Sequence, residues 1–121
     1  MRDVTKARFV VNVSSMEGNF AGGKSGLHPH TNMAKAAMNM ITRTCAEGYA
    51  SRGIYVNSVD PGWVSNEAPA PRMEQMEREG FREPLDLSDA AARVLDPVFV
   101  GVETGRPAFG RLFKDYRAVA W

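Results

Sequence analysis

At 121 residues the chain is long enough for one domain with a buried core and no more. Fifteen basic residues against 14 acidic leave a formal charge of +1, so no long-range field draws it to nucleic acid or anionic lipid. Its one cysteine, Cys45, excludes an internal disulfide and a thiolate cluster for zinc, and no apolar run approaches the ~20 residues that span a bilayer.

Residues 1–8 are polar, hold no glycine and lack the apolar core of a signal peptide, so a cytoplasmic chain is expected. Residues 9–13, Phe-Val-Val-Asn-Val, are short, β-branched and bounded by Ser14 and Ser15; they read as a strand buried on both faces. Residues 18–29 contain four glycines and a proline and form a loop. Over residues 30–51 the apolar positions fall at Met33, Ala37, Met40, Ile41 and Cys45, which is helical spacing. Thr31 or Asn32 would cap this helix and Arg52-Gly53 would stop it. Cys45 is then a small core-facing helical residue.

Residues 54–59, Ile-Tyr-Val-Asn-Ser-Val, make a second strand closed by an Asp60-Pro61-Gly62 turn. Residues 68–71 are a Pro/Ala linker, residues 73–78 a short charged helix, and Pro84 ends the loop beyond it. Asp86 or Ser88 caps a further helix through Leu95, which Pro97 terminates or kinks. Residues 101–107 form a turn-rich loop and residues 108–116 a last, weaker strand. The order β-α-β-α-β with right-handed crossovers predicts an α/β layered unit with three parallel strands near residues 8–14, 53–59 and 108–114.

In such sheets ligands gather beyond the carboxyl ends of the strands. Ser14, Ser15, Asp60, Pro61 and Gly62 fall at such ends. Lys35 lies in the intervening helix, on the same face as Thr31 because the two are i and i+4. This order resembles the C-terminal half of a short-chain dehydrogenase/reductase: a serine after one strand, a Tyr-x-x-x-Lys pair on the next helix, and a Pro-Gly turn after the following strand. The resemblance runs from about Phe9 to the end of the chain. It implies the C-terminal half of a Rossmann-type three-layer parallel sheet, with residues 1–121 a partial NAD(P)-binding domain that lacks the Gly-rich N-terminal half.

By that resemblance Ser15 hydrogen-bonds a substrate carbonyl oxygen. Lys35 holds the nicotinamide ribose and lowers the pKa of the neighbouring acid, and Pro61, Gly62 and Val64 line the nicotinamide. Ser65 and Asn66 are the nearest candidates for a hydroxyl that touches the cofactor, NAD or NADP. The tyrosine place is held by Thr31. A phenol ionises near 10 and can be brought toward neutrality by an ammonium, whereas an aliphatic hydroxyl is a far weaker acid, so Thr31 donates a hydrogen bond but is a poor proton donor. His30 is a substitute acid of the right class, although helix neighbours point about 100° apart. His28 is a lesser candidate still, and with no third ligand nearby the two histidines do not read as a metal site.

The family's expected activity is hydride transfer between NAD(P) and a small-molecule carbonyl or alcohol. In the isolated chain it is expected to be weak or absent. In that family the helix also packs against its copy, so a homo-oligomer through residues 31–51, with Met33, Met38 and Met40 at the contact or in the core, is the non-catalytic alternative. The charged run 73–79 would then be a solvated lid, Trp63 a pocket wall and Trp121 a dock for the C-terminus. A lesser alternative comes from residues 18–25, which match the phosphate-binding pattern G-x-x-x-x-G-K-[ST] after a strand. That pattern requires a helix to start at Lys24-Ser25, and the following Gly26-Leu27-His28-Pro29 resists one.

Overall fold

A computed structural model describes residues 6–63 and 85–121. The linker at 68–71, the charged helix or lid at 73–79, Pro84, Val64, Ser65 and Asn66 lie outside the described residues. Strand β1 (Arg8–Val13) and strand β2 (Ile54–Asp60) pair in parallel, from Arg8↔Ile54 to Val13↔Val59. Helix α1 (Pro29–Ala50) crosses between them, as the change of period predicts.

β2 is flanked on both edges, and residues 55–60 are all buried. β1 was expected to be equally buried and is not: it is the first strand in the order β1-β2-β3-β4, and Val10 and Val13 stay 43% and 42% exposed. With one neighbour among the described residues, β1 keeps the composition of a central strand without its burial.

The last strand is shorter than residues 108–116 suggest. β3 (Leu112–Lys114) runs parallel to β2, with Ser58↔Leu112 and Asp60↔Lys114 opposite each other. Residues 108–111 approach β2 ahead of the paired residues: Gly110 N donates to Val56 O and Ser58 N to Arg111 O, both at 2.8 Å, and the buried Asn57 side chain ties the same segment. Its Nδ2 donates to Ala108 O at 2.9 Å, and Arg111 N donates to its Oδ1 at 3.2 Å. A fourth strand, β4 (Arg117–Val119), returns antiparallel, so the sheet is mixed rather than wholly parallel. Asp115 and Tyr116 make this turn, both with positive φ, at 49° and 65°. Two such residues in succession match strand twist in a two-residue hairpin, but neither is the glycine or asparagine that would signal it.

α1 starts earlier than expected. His28 is the residue before the helix, in the left-handed region (φ 57°) with no side-chain cap, and neither Thr31 nor Asn32 caps. Pro29 disfavours the right-handed helical region at His28 and itself suits the first helical position. Helix α2 (Leu87–Thr104) is capped by Asp86, which accepts from Asp89 N at 2.8 Å, as expected. It does not stop near Leu95: Pro97 lies inside it, and Gly105 (φ 68°) ends it two turns later. Pro97 and Gly101 are buried, and a Cβ on Gly101 would lie 2.9 Å from Phe9 Cε1. This close packing against β1 accompanies the continuation through proline. Among the described residues no helix is long and apolar enough to cross a membrane.

The core joins apolar Leu112, Val59 and Ala46 to a polar knot under α1. Thr42 is fully buried; its Oγ1 donates to Met38 O at 3.0 Å and accepts from Asn12 Nδ2 at 2.9 Å. Its one proton is thereby used, so the 2.7 Å contact with Ser58 has Ser58 as donor. Thr42→Val keeps the volume but leaves the buried Ser58 hydroxyl and the half-buried Asn12 amide without their acceptor. It is expected to lower stability by about 1–3 kcal/mol, read from the midpoint of urea unfolding.

Candidate functional site

The site elements meet at the carboxyl ends of β1 and β2. Ser14 N donates to Val59 O at 2.7 Å and closes the β1–β2 ladder; β2 runs on to Asp60, paired with Lys114, before it leaves the sheet. Ser14 points inward: it is 4% exposed, and its Oγ donates to Asn39 Oδ1 at 2.6 Å. Asn39 Nδ2 passes the chain on to Asn19 Oδ1 at 2.9 Å, and Asn19 Nδ2 reaches Ala120 O at 3.1 Å. Buried amides and hydroxyls must be paired. Asn39 and Asn19 do so while fixing the serine turn and the C-terminal residues together.

Ser15 is half-buried and extended, and caps one turn of 3₁₀ helix, Met16–Gly18. Its Oγ accepts from Glu17 N at 3.1 Å, which leaves its proton for another partner. The turn presses on α1 at Gly18: a Cβ there would stand 2.5 Å from Lys35 C and 2.6 Å from Ala36 N. Lys35 reaches back to β1, with Nζ donating to Val13 O at 3.1 Å. Two of its three N–H groups have no partner among the described residues. The serine turn and Lys35 are thus brought against each other, while Thr31 sits one helical turn before Lys35, half-buried. His30 and His28 are exposed, their rings edge to face at 6.0 Å. Among the described residues no group of three His, Cys, Asp or Glu is placed to hold a metal.

The β2 side ends in a turn built by Asp60. Gly62 N donates to Asp60 Oδ1 at 2.8 Å, the local pattern by which aspartate forms turns. Gly62 has φ 83°, and a Cβ there would meet Leu85 Cδ1 at 3.3 Å. Pro61 is half-buried and Trp63 is 40% exposed. Asp60 also reaches the other strand, its Oδ2 accepting from Met16 N at 2.9 Å with Lys114 Nζ at 3.6 Å. The sequence places Asp60 in the turn and at a ligand-gathering strand end, but shows no bond from it to the serine turn. An aspartate before Pro-Gly at a strand end was the available signal, but its cross-strand partner depends on the register.

The phosphate-loop pattern fails on its geometry. No helix begins at Lys24-Ser25, and Lys24 Nζ is turned onto Glu17 O at 2.9 Å. Two surface grooves, one lined by Arg43, Glu47, Phe109 and Arg111 and one by Cys45, Tyr49 and Arg52, lie at the opposite end of the sheet, beside the starts of β2 and β3. Ligand chemistry in an open α/β sheet belongs at the other end.

Known proteins resemble this chain in sequence and fold. The model of a family described as enoyl-(acyl carrier protein) reductase matches residues 4–93. An uncharacterised protein of Acanthamoeba polyphaga mimivirus is 35% identical over 98 residues, which cover 75% of this chain and 21% of that protein. Among solved structures, the NADPH-bound carbonyl reductase from chicken fatty liver superposes with a TM-score of 0.63 at 22% identity, covering 93% of this chain and 42% of that one. The landomycin C-6 ketoreductase LanV, with bound NADP and rabelomycin, gives 0.57 at 27% identity over 87% of this chain and 38% of its own. A cofactor-bound structure of unknown function from Caenorhabditis elegans gives 0.62 at 24% identity, covering 88% and 43%. The chain therefore spans about two fifths of the solved proteins it matches.

Proposed function

The chain belongs to the short-chain dehydrogenase/reductase family, and from that premise we propose that the ends of β1 and β2 form the substrate and nicotinamide side of a hydride-transfer site for a small carbonyl or alcohol. The observation that carries this reading is the contact at Gly18, which leaves no room for a side chain between the serine turn and the Lys35 backbone. The nicotinamide of NAD or NADP supplies or takes up the hydride. The residues fit that half of the cofactor: Lys35 has N–H groups to give to ribose hydroxyls, and Gly62 offers a turn without a side chain. Among the described residues no Gly-rich strand–turn–helix is present to hold a pyrophosphate.

In this reading the Ser15 hydroxyl donates to the carbonyl oxygen and orients it. The Lys35 ammonium stabilises negative charge developing beside it. Thr31 adds a second hydrogen bond but releases its proton poorly, so proton delivery is the weak step, with His30 as the neighbouring alternative. Titration of NADH and NADPH fluorescence with the 121-residue chain is expected to show weak binding or none. Micromolar affinity would contradict the reading of an incomplete cofactor site, and ATP binding lost in Lys24→Ala would support the phosphate loop instead.

A second reading is a non-catalytic module that pairs through α1. Its support is the outward row Met33, Met40 and Ile41, respectively 68%, 62% and 54% exposed on one helix. Apolar surface of this kind is ordinarily covered by a partner, and the proposed partner is a second copy. Met40→Glu with Ile41→Glu is expected to convert a dimer to a monomer in sedimentation velocity while leaving the cofactor titration unchanged. A monomeric parent chain would remove this reading.

A further inference from the structure

We propose that Asp60 is a positioning residue whose carboxylate clamps the serine turn to the Pro61-Gly62 turn and so fixes the separation of the two halves of the site; this rests on the functional reading above. The parallel ladder ends at Val13↔Val59, with Ser14 N donating to Val59 O. Beyond it, residues 15–18 and 61–63 diverge from the sheet, one carrying the substrate hydroxyl and the other the nicotinamide wall. Asp60 spans the gap with one oxygen for each side: Oδ1 takes Gly62 N–H at 2.8 Å, and Oδ2 takes Met16 N–H at 2.9 Å. The residue is 6% exposed, and both bonds are partly buried.

The chemistry requires a carboxylate. Two backbone N–H groups need two acceptors, and an ionised carboxylate is acceptor on both oxygens. An asparagine serves one amide and turns its own NH₂ toward the other. Charge-assisted bonds of this kind are roughly twice as strong as neutral ones. Lys114 Nζ, 3.6 Å away on the end of β3, balances the charge, but its side chain is 40% exposed and contributes little rigidity. Asp60 therefore transmits the position of one turn to the other through two bonds on a single rigid group.

Met16→Pro tests this directly because it deletes the Met16 N–H; it also removes the thioether whose Sδ lies 3.8 Å from Asn19 Nδ2, a loss that Met16→Ala shares while keeping the N–H. Ser15 already has the extended backbone (φ −158°, ψ 151°) that a residue before proline requires, and position 16 opens the 3₁₀ turn, where proline is tolerated. The readout is amide hydrogen exchange at Gly62, on the far turn. Met16→Pro is expected to speed it by roughly tenfold, the equivalent of one charge-assisted bond. Met16→Pro combined with Asp60→Asn should then weaken the binding of reduced nicotinamide mononucleotide no more than Asp60→Asn alone, since both cut the same clamp. Lys114→Met should leave Gly62 protected. Unchanged Gly62 exchange in Met16→Pro, additive losses in the pair, or loss of Gly62 protection in Lys114→Met would each overturn the proposal. Should Met16→Pro fail to fold, Asp60→Asn decides by itself: one of the Met16 and Gly62 amides should lose protection, and retention of both would overturn it. If no variant or parent binds reduced nicotinamide mononucleotide, the functional reading fails, while the exchange result still settles the clamp.

Discussion

Thr31→Tyr is expected to raise carbonyl reduction by the ~10²–10⁴-fold that general acid catalysis is typically worth. The assay is NADPH consumption in a chimera with the Gly-rich half of a relative fused ahead of residue 1, compared with the same chimera carrying Thr31. Thr31 is half-buried one helical turn before Lys35, so a phenol there has an ammonium for a neighbour. The ammonium favours phenolate and moves the phenol toward the working range; it has little leverage on an aliphatic hydroxyl. Lys35→Ala should erase the gain. If the threonine form already reduces carbonyls well and tyrosine adds nothing, the proton comes from elsewhere, and loss of activity in His30→Ala would identify the source.

The second large effect is expected from one methyl group. A Cβ on Gly18 would lie 2.5 Å from Lys35 C, 2.6 Å from Ala36 N and 2.7 Å from Lys35 O, all backbone atoms of a long helix. Such atoms cannot swing aside as a side-chain end can, so the serine turn must lift. Overpacking usually costs about 1–3 kcal/mol, and Gly18→Ala is expected at the upper end, read from the urea midpoint. It should also separate Ser15 from Lys35 and abolish any nicotinamide binding that the parent shows. Gly23→Ala is the matched comparison: nothing lies within 4 Å of a Cβ there, so stability should hold. A Gly18→Ala protein as stable as the parent would mean that the serine turn does not sit against α1.

Elements governed by local periodicity were legible in the sequence. The parallel pair β1 and β2, the crossover α1 and the Asp86 cap all follow from runs, spacing and one side-chain acceptor. What escaped depends on partners distant in the chain. Pro97 reads as a stop or a kink until Gly101 is seen packed on Phe9. β4 is hidden because its turn puts Asp115 and Tyr116, rather than glycines, at positive φ. The same holds at the site. Ser15 and Lys35 are visible as residue types at a spacing, but Ser14, Asn39, Asn19 and Asp60, which hold them, act over separations of 20 to 101 residues. Polar residues in a buried helix face, such as Asn39 and Thr42, were the available signal, since a buried amide must have a partner.

The most direct test of the account is a titration of the amide chemical shifts of the 121-residue chain with reduced nicotinamide mononucleotide, which carries the nicotinamide and ribose without the adenosine half. The account predicts millimolar binding with shifts concentrated at Ser15, Lys35 and Gly62, and their loss in Lys35→Ala. Shifts gathered instead at Lys24 and Ser25, or in the groove between Arg43 and Arg111, would contradict it.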